Sequence, residues 1–148
     1  MKKGFTLVEL LIVMVVVSVL ATLAVSKYKV AMEKGRGLEG LHNAAAISDA
    51  LNAFYIQDGN VYNWERVPWA LDAAATTKSK YFSCEIRDGN TNFQDVLCER
   101  TTGAYNLYFT NEEGETTKKI CTGTQKYCKA LGAIQSVKLE SGETGWSF

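Results

Sequence analysis

The chain is 148 residues long, enough for one domain, and its 16 Lys+Arg are balanced by 16 Asp+Glu. That balance argues against a nucleic-acid binder working through a strongly basic face. One Pro and 12 Gly argue against a low-complexity or disordered chain. No internal repeat is visible, and the cysteines, Cys84, Cys98, Cys121 and Cys128, all lie in the C-terminal half.

The chain opens MKKGFTLVELLIVMVVVSVLATLAV. From Leu10 to Ser26 no residue is charged, and the run from Phe5 is apolar apart from Thr6, Glu9 and a few hydroxyls. At helical rise, Phe5 to Ser26 covers about 33 Å, the thickness of a bilayer core. Lys2 and Lys3 precede the run, so positive-inside reasoning puts the N-terminus in the cytoplasm and the remainder outside. Three readings compete: a secretory signal peptide, a plain membrane anchor, or a segment put to another use. Met1-Lys2-Lys3, the apolar core and a small-residue site near Thr22-Leu23-Ala24 fit the first loosely. Glu9 fits it poorly. A charge at the centre of a spanning helix costs roughly 2.5–3.5 kcal/mol, less near the end, and intramembrane carboxylates usually have a partner.

Gly4-Phe5-Thr6-Leu7-Val8-Glu9, after a short basic leader and before the apolar run, resembles the processing motif of type IV pilins and type II secretion pseudopilins. The resemblance is strong over residues 1–30 and general beyond. It implies a leader of residues 1–4, removed by a prepilin peptidase that cuts between Gly4 and Phe5, and N-methylation of Phe5. It also implies an assembly role for Glu9, pairing with the Phe5 amine of a neighbouring subunit. An unpaired buried carboxylate is expensive, whereas a paired one can set register between helices. The implied partners are copies of itself or related pilins, the peptidase, the inner-membrane assembly machinery, and membrane lipid before assembly. The implied location is the bacterial inner membrane, then an extracytoplasmic filament. Residues 5–26 would form the transmembrane and filament-core half of a long helix. Within it Ser18, Thr22 and Ser26 form a small polar stripe, suited either to close helix approach or to bonding back onto the helix's own carbonyls. Many members of the family carry a kinking proline where this chain has Ser26, which gives weaker grounds for a kink.

Residues 27–57 continue as an amphipathic half. Leu41, Ala44, Ile47, Leu51 and Phe54 recur at three- and four-residue steps, a stripe suited to packing on a sheet. Asp58-Gly59-Asn60 supplies a stop. Gly35, Gly37 and Gly40 interrupt the helical pattern, each costing up to about 1 kcal/mol relative to Ala. They mark either a flexible segment or tight packing in a filament.

Residues 58–148 read as a globular, disulfide-braced region. Val61–Leu71 is an aromatic-rich connection in which Pro68 disfavours a long helix and Trp64 and Trp69 suit packing over a helix–sheet seam better than a ligand platform. Strands are expected at Lys80–Ile86, Ala104–Phe109 and Lys118–Cys121, the last two joined through Asn111–Glu115 as a hairpin. A short helix is expected over Gln125–Leu131, preceded by a Thr cap and stopped by Gly132. The fold class is therefore α+β, a long N-terminal helix packed on a C-terminal antiparallel sheet. Four cysteines allow three pairings, and sequence proximity favours Cys84–Cys98 and Cys121–Cys128. A zinc site is disfavoured, because no Cys-x-x-Cys pair occurs and the lone His42 lies in the helix. Asp88-Gly89-Asn90-Thr91-Asn92 with Glu99 matches some calcium-loop positions, but Phe93 stands where the loop needs glycine. A turn inside a disulfide loop accounts for the stretch better.

No nucleophile–base spacing, phosphate loop or metal-ligand cluster is present, so neither catalysis nor a cofactor is expected. The function expected from the resemblance is a structural subunit that polymerises into a type IV pilus or pseudopilus. The alternative is a secreted or membrane-anchored extracytoplasmic binding domain that forms no filament.

Overall fold

The computed structural model describes residues 6–59, 79–90, 93–139 and 142–148. Gly4, Phe5, Trp64, Pro68 and Trp69 lie outside them. The first element, α1, runs Leu7–Asp58, 52 residues and about 78 Å of helix. Its first half is rich in β-branched Val, a poor helix former in water. Inside a bilayer a helix satisfies every backbone polar group within the segment, and there the same composition is favoured. Thr6 caps the N-terminus, and Gly59, at φ 72°, closes the C-terminus by donating its N–H to the Tyr55 carbonyl. The helix passes Ser26 and the three glycines without interruption.

Among the described residues six strands follow: β1 (Phe82–Asn90), β2 (Phe93–Arg100), β3 (Tyr105–Glu112), β4 (Glu115–Gly123), β5 (Gln135–Lys138) and β6 (Thr144–Ser147), with a short helix α2 (Gln125–Leu131) between β4 and β5. They form one antiparallel sheet in the order β1-β2-β3-β4-β6-β5, a four-strand meander extended by a hairpin that returns to lie beside β4. The β3–β4 turn is Glu113-Gly114, both at positive φ (51° and 85°), the conformation that matches a tight hairpin to strand twist. The stretch resembling a calcium loop is split between two paired strands, with Asp88 opposite Gln94 and Glu99 opposite Ser83. Among the described residues it is flanked by strands and not by a helix pair.

The expected helical stripe is the face that meets the sheet. Ala44, Ile47, Leu51 and Phe54 are buried against Phe82, Val96, Tyr105, Leu107 and Phe109, with Leu41 packed at the margin. Two of the three interrupting glycines belong to this contact. A Cβ on Gly40 would lie 2.7 Å from the ring of Phe82, and one on Gly37 would lie 2.4 Å from Leu131 and 2.7 Å from the Tyr105 hydroxyl. Their lack of a side chain is what lets the helix lie close on β1, β3 and α2, within a single chain. Gly35 has nothing within 4 Å of its Cβ position.

Both disulfides join sequence neighbours. Cys84–Cys98 ties directly opposed positions of β1 and β2, and Cys121–Cys128 ties β4 to α2. Each sits in the core, with Cys98, Cys121 and Cys128 fully buried. In a domain this small a native bridge contributes about 2–4 kcal/mol. Thr124 holds the N-cap position of α2, but its side chain makes no cap bond; Gly132, at φ 105°, ends the helix as expected.

Candidate functional site

The two halves of α1 differ in what they touch. From Leu7 to Lys29 every residue is exposed, including Leu7 at 81%, Leu20 at 61% and Leu23 at 66%. The helix is long and apolar enough to cross a membrane, and none of its most apolar window is buried within the chain. An apolar surface of this length requires cover in water, by lipid or by protein.

Glu9 is the charged group between Leu7 and Ser26, and its carboxylate already has local partners. Glu9 Oε2 accepts from the Thr6 backbone N–H at 2.9 Å and from the Thr6 hydroxyl at 2.8 Å, while the Thr6 hydroxyl accepts from the Glu9 N–H at 3.3 Å. This is a reciprocal capping box, two orphan donors of the first turn satisfied by one pair of side chains. Its signal, Thr6-Leu7-Val8-Glu9, is visible in the sequence, and it is a second use of Glu9 that the resemblance did not suggest. Gly4 and Phe5, the other residues of the motif, lie outside the described residues, so the geometry of a Phe5 amine against Glu9 is not part of this structure.

The polar stripe on the same half resolves in favour of local bonding. Ser18, Thr22 and Ser26 each donate to a carbonyl one turn back, those of Val15, Val19 and Leu23, at 2.7, 2.7 and 3.1 Å. Each hydroxyl is thus satisfied within the helix while its face stays small.

Where α1 reaches the domain, a buried ion pair anchors it. Arg100 at the end of β2 presents a side chain only 2% exposed. Its Nε donates to Glu33 Oε1 at 2.5 Å, its second terminal nitrogen donates to Glu33 Oε2 at 3.3 Å, and the remaining one donates to the Tyr81 carbonyl at 2.9 Å. The guanidinium fork therefore clamps helix and sheet together, which a lysine could not do. Arg36 meets the same carboxylate at 3.4 Å and lies 5.1 Å over the Tyr81 ring. The Arg100 hydrogen bond holds the Glu33 carboxyl below the usual carboxylate range, against the opposing effect of burial. Burial, reinforced by the Glu33 charge, pushes the Tyr105 phenol above its ordinary value. Glu33 and Arg100 are 67 positions apart, and no spacing in the sequence could have paired them.

Further along the seam, Ser48, Asn111 and Thr116 form a small polar network. Ser48 donates to the Asn111 side-chain oxygen, and the Thr116 hydroxyl lies 2.6 Å from Ser48 and 2.9 Å from Asn111. Asn52 joins it by donating to Thr116 at 3.1 Å. These bonds fix the register of the helix on the β3–β4 hairpin. Among the described residues no three His, Cys, Asp or Glu gather in a way that could hold a metal ion, and His42 is exposed on α1.

Comparison with known proteins bears on the N-terminal segment first. Residues 1–25 match the family model described as the prokaryotic N-terminal methylation motif. Over 103 residues the chain is 29% identical to fimbrial protein EcpC of Eikenella corrodens, covering 69% of this chain and 65% of that protein. The match therefore spans just under two thirds of that relative. No solved structure matches.

Proposed function

We propose that this chain is a pilin-like structural subunit, processed at its N-terminus, held in a membrane by residues 5–26 and polymerised through that same helix half. The observation that carries the proposal is a helix divided between a face covered by its own domain and a first half left bare. A methylation motif lies at the start of the bare half, and 29% identity to a fimbrial protein extends the likeness into the domain. In this reading residues 1–4 are removed between Gly4 and Phe5, and Phe5 is N-methylated. The cationic amine so created pairs with Glu9 of a neighbour. Residues 27–57 are the amphipathic half of the helix, and residues 58–148 form the outer, disulfide-braced surface. The partners are copies of the chain or related pilins, a prepilin peptidase and an inner-membrane assembly apparatus. The role is structural, not catalytic.

Pairing with a neighbour must compete with the capping box. A carboxylate can accept several hydrogen bonds, so one oxygen could keep Thr6 while the other takes an ammonium. A charge-assisted bond in an apolar bundle is also stronger than the exposed capping bonds it would displace.

Orientation in the membrane rests on the disulfides more than on flanking charge. Lys2 and Lys3 before the apolar run argue for a cytoplasmic N-terminus, but Lys27, Lys29, Lys34 and Arg36 after it keep flanking charge from deciding the orientation. Two buried disulfides persist in an oxidising compartment, which favours a domain outside the cytoplasm.

The test is Glu9→Ala. The variant should reach the membrane at normal levels and drop out of sheared filaments by an order of magnitude or more, read by immunoblot of the two fractions. Normal incorporation would contradict the role given to Glu9 and favour a membrane-anchored binding domain.

A further inference from the structure

We propose that the end of the domain nearest the apolar run is a docking surface for anionic phospholipid headgroups, engaged while the chain resides in the membrane. The inference rests on the membrane-spanning reading of residues 5–26. Lys27 and Lys29 follow Ser26 within about 5 Å of helical rise, the depth of a headgroup layer. Over the next turns of α1 the domain itself arrives. Tyr28, Lys29, Met32, Glu33 and Arg36 of α1 and Tyr127 of α2 line one shared hollow. The short helix α2 therefore stands beside the exit of α1 from the apolar run.

This end is basic. Lys126 and Lys129 of α2 are exposed, and α2 contains no acidic residue. The nearest carboxylate on α1, Glu33, is already held by Arg100 and Arg36. Tyr28, 65% exposed, and Met32, 40% exposed, add an apolar and aromatic component of the kind that settles at a bilayer interface. The turn at the opposite end is acidic at its tip. Glu112, Glu113 and Glu115 are exposed around the β3–β4 turn, whose Gly114 lies against Tyr55 near the far end of α1. Lys27, Lys29, Lys126 and Lys129 thus stand together where the helix would enter lipid, while the other exposed lysines near the acidic turn, Lys118 and Lys119, lie on β4. A second copy's acidic turn would meet these cations only after extraction into a filament, whereas the covalent continuation into the apolar run sets them beside headgroups from insertion onward.

The experiment reconstitutes the full chain into nanodiscs of phosphatidylcholine with a minor fraction of phosphatidylglycerol, and measures by native mass spectrometry which lipids stay bound. The wild type should retain phosphatidylglycerol about fivefold or more above its bilayer fraction, falling as salt is raised. Lys126→Glu combined with Lys129→Glu should abolish most of that enrichment with insertion unchanged, because Lys27 and Lys29 remain. An intact Cys121–Cys128 bridge and unchanged circular dichroism check that α2 is still folded. Equal enrichment in wild type and variant would overturn the proposal and leave only span-flanking lysines. So would no enrichment at all, or a variant with unaltered lipid binding that fails to enter filaments, which would make the patch a subunit contact. Failure of the wild type to insert would be a separate result, contradicting the membrane reading and this inference with it.

Discussion

Glu33 and Arg100 show how much one residue pair can decide. Both are largely withdrawn from water, and each satisfies the other through two nitrogen–oxygen contacts. Breaking such a pair from one side leaves an uncompensated buried charge, which costs about 3–5 kcal/mol. Arg100→Ala should therefore lower the urea midpoint of the detergent-solubilised chain sharply. Arg100→Lys should fall between, since it restores the charge without the fork. The pH dependence has a definite sign. Glu33's folded pKa is depressed, chiefly by the Arg100 hydrogen bond, so its contribution is fully present above the ordinary carboxylate value of about 4.3 and is lost as pH falls through the lower folded value. Glu33→Gln should lower stability at neutral pH and flatten the acid limb of the stability profile. An unchanged acid limb would remove Glu33 from the account. Tyr105 has the opposite sense. Its raised pKa means that stability falls once pH rises past about 10, where the unfolded phenol ionises.

At the scale of elements, α1 is a helix tuned by where its glycines sit. Gly35→Ala gains helix propensity with no contact to offend, and should stabilise the chain by about 0.5–1 kcal/mol. Gly40→Ala gains the same propensity, but its Cβ enters the buried ring of Phe82, and overpacking of about 1–3 kcal/mol outweighs it. Thermal melts of the two variants should move in opposite directions. Shifts of the same sign would mean that α1 does not press on β1 as described. The amphipathic stripe from Leu41 to Phe54 was legible in the sequence because its period is local, and so was the β3–β4 hairpin, whose Glu-Gly turn names itself. β2 was not legible. Phe93–Arg100 mixes charges with apolar residues and follows an Asp/Asn-rich stretch, so its strand character comes from pairing on both sides with β1 and β3. β5 and β6, four residues each, likewise exist only through partners. The glycines were visible as helix interruptions, but their purpose depended on Phe82, Tyr105 and Leu131, far along the chain.

For the whole molecule, the division of α1 is the fact that any function must satisfy. One half is covered by a sheet that its own chain supplies, braced by two disulfides and an ion pair. The other half is bare, apolar and opened by a carboxylate that caps its first turn. The motif of residues 1–25 is legible in the sequence because it is contiguous, whereas the anchoring of the domain is not, because Glu33 meets Arg100 only in space. The central claim is that this bare half begins at a processed Phe5 and becomes a filament core. Intact-mass and N-terminal peptide mass spectrometry of the protein from membranes and from sheared surface material tests it most directly. The account predicts a chain starting at N-methylated Phe5 in both fractions. A chain starting near Val25, or one retaining Met1 or Lys2, would contradict it.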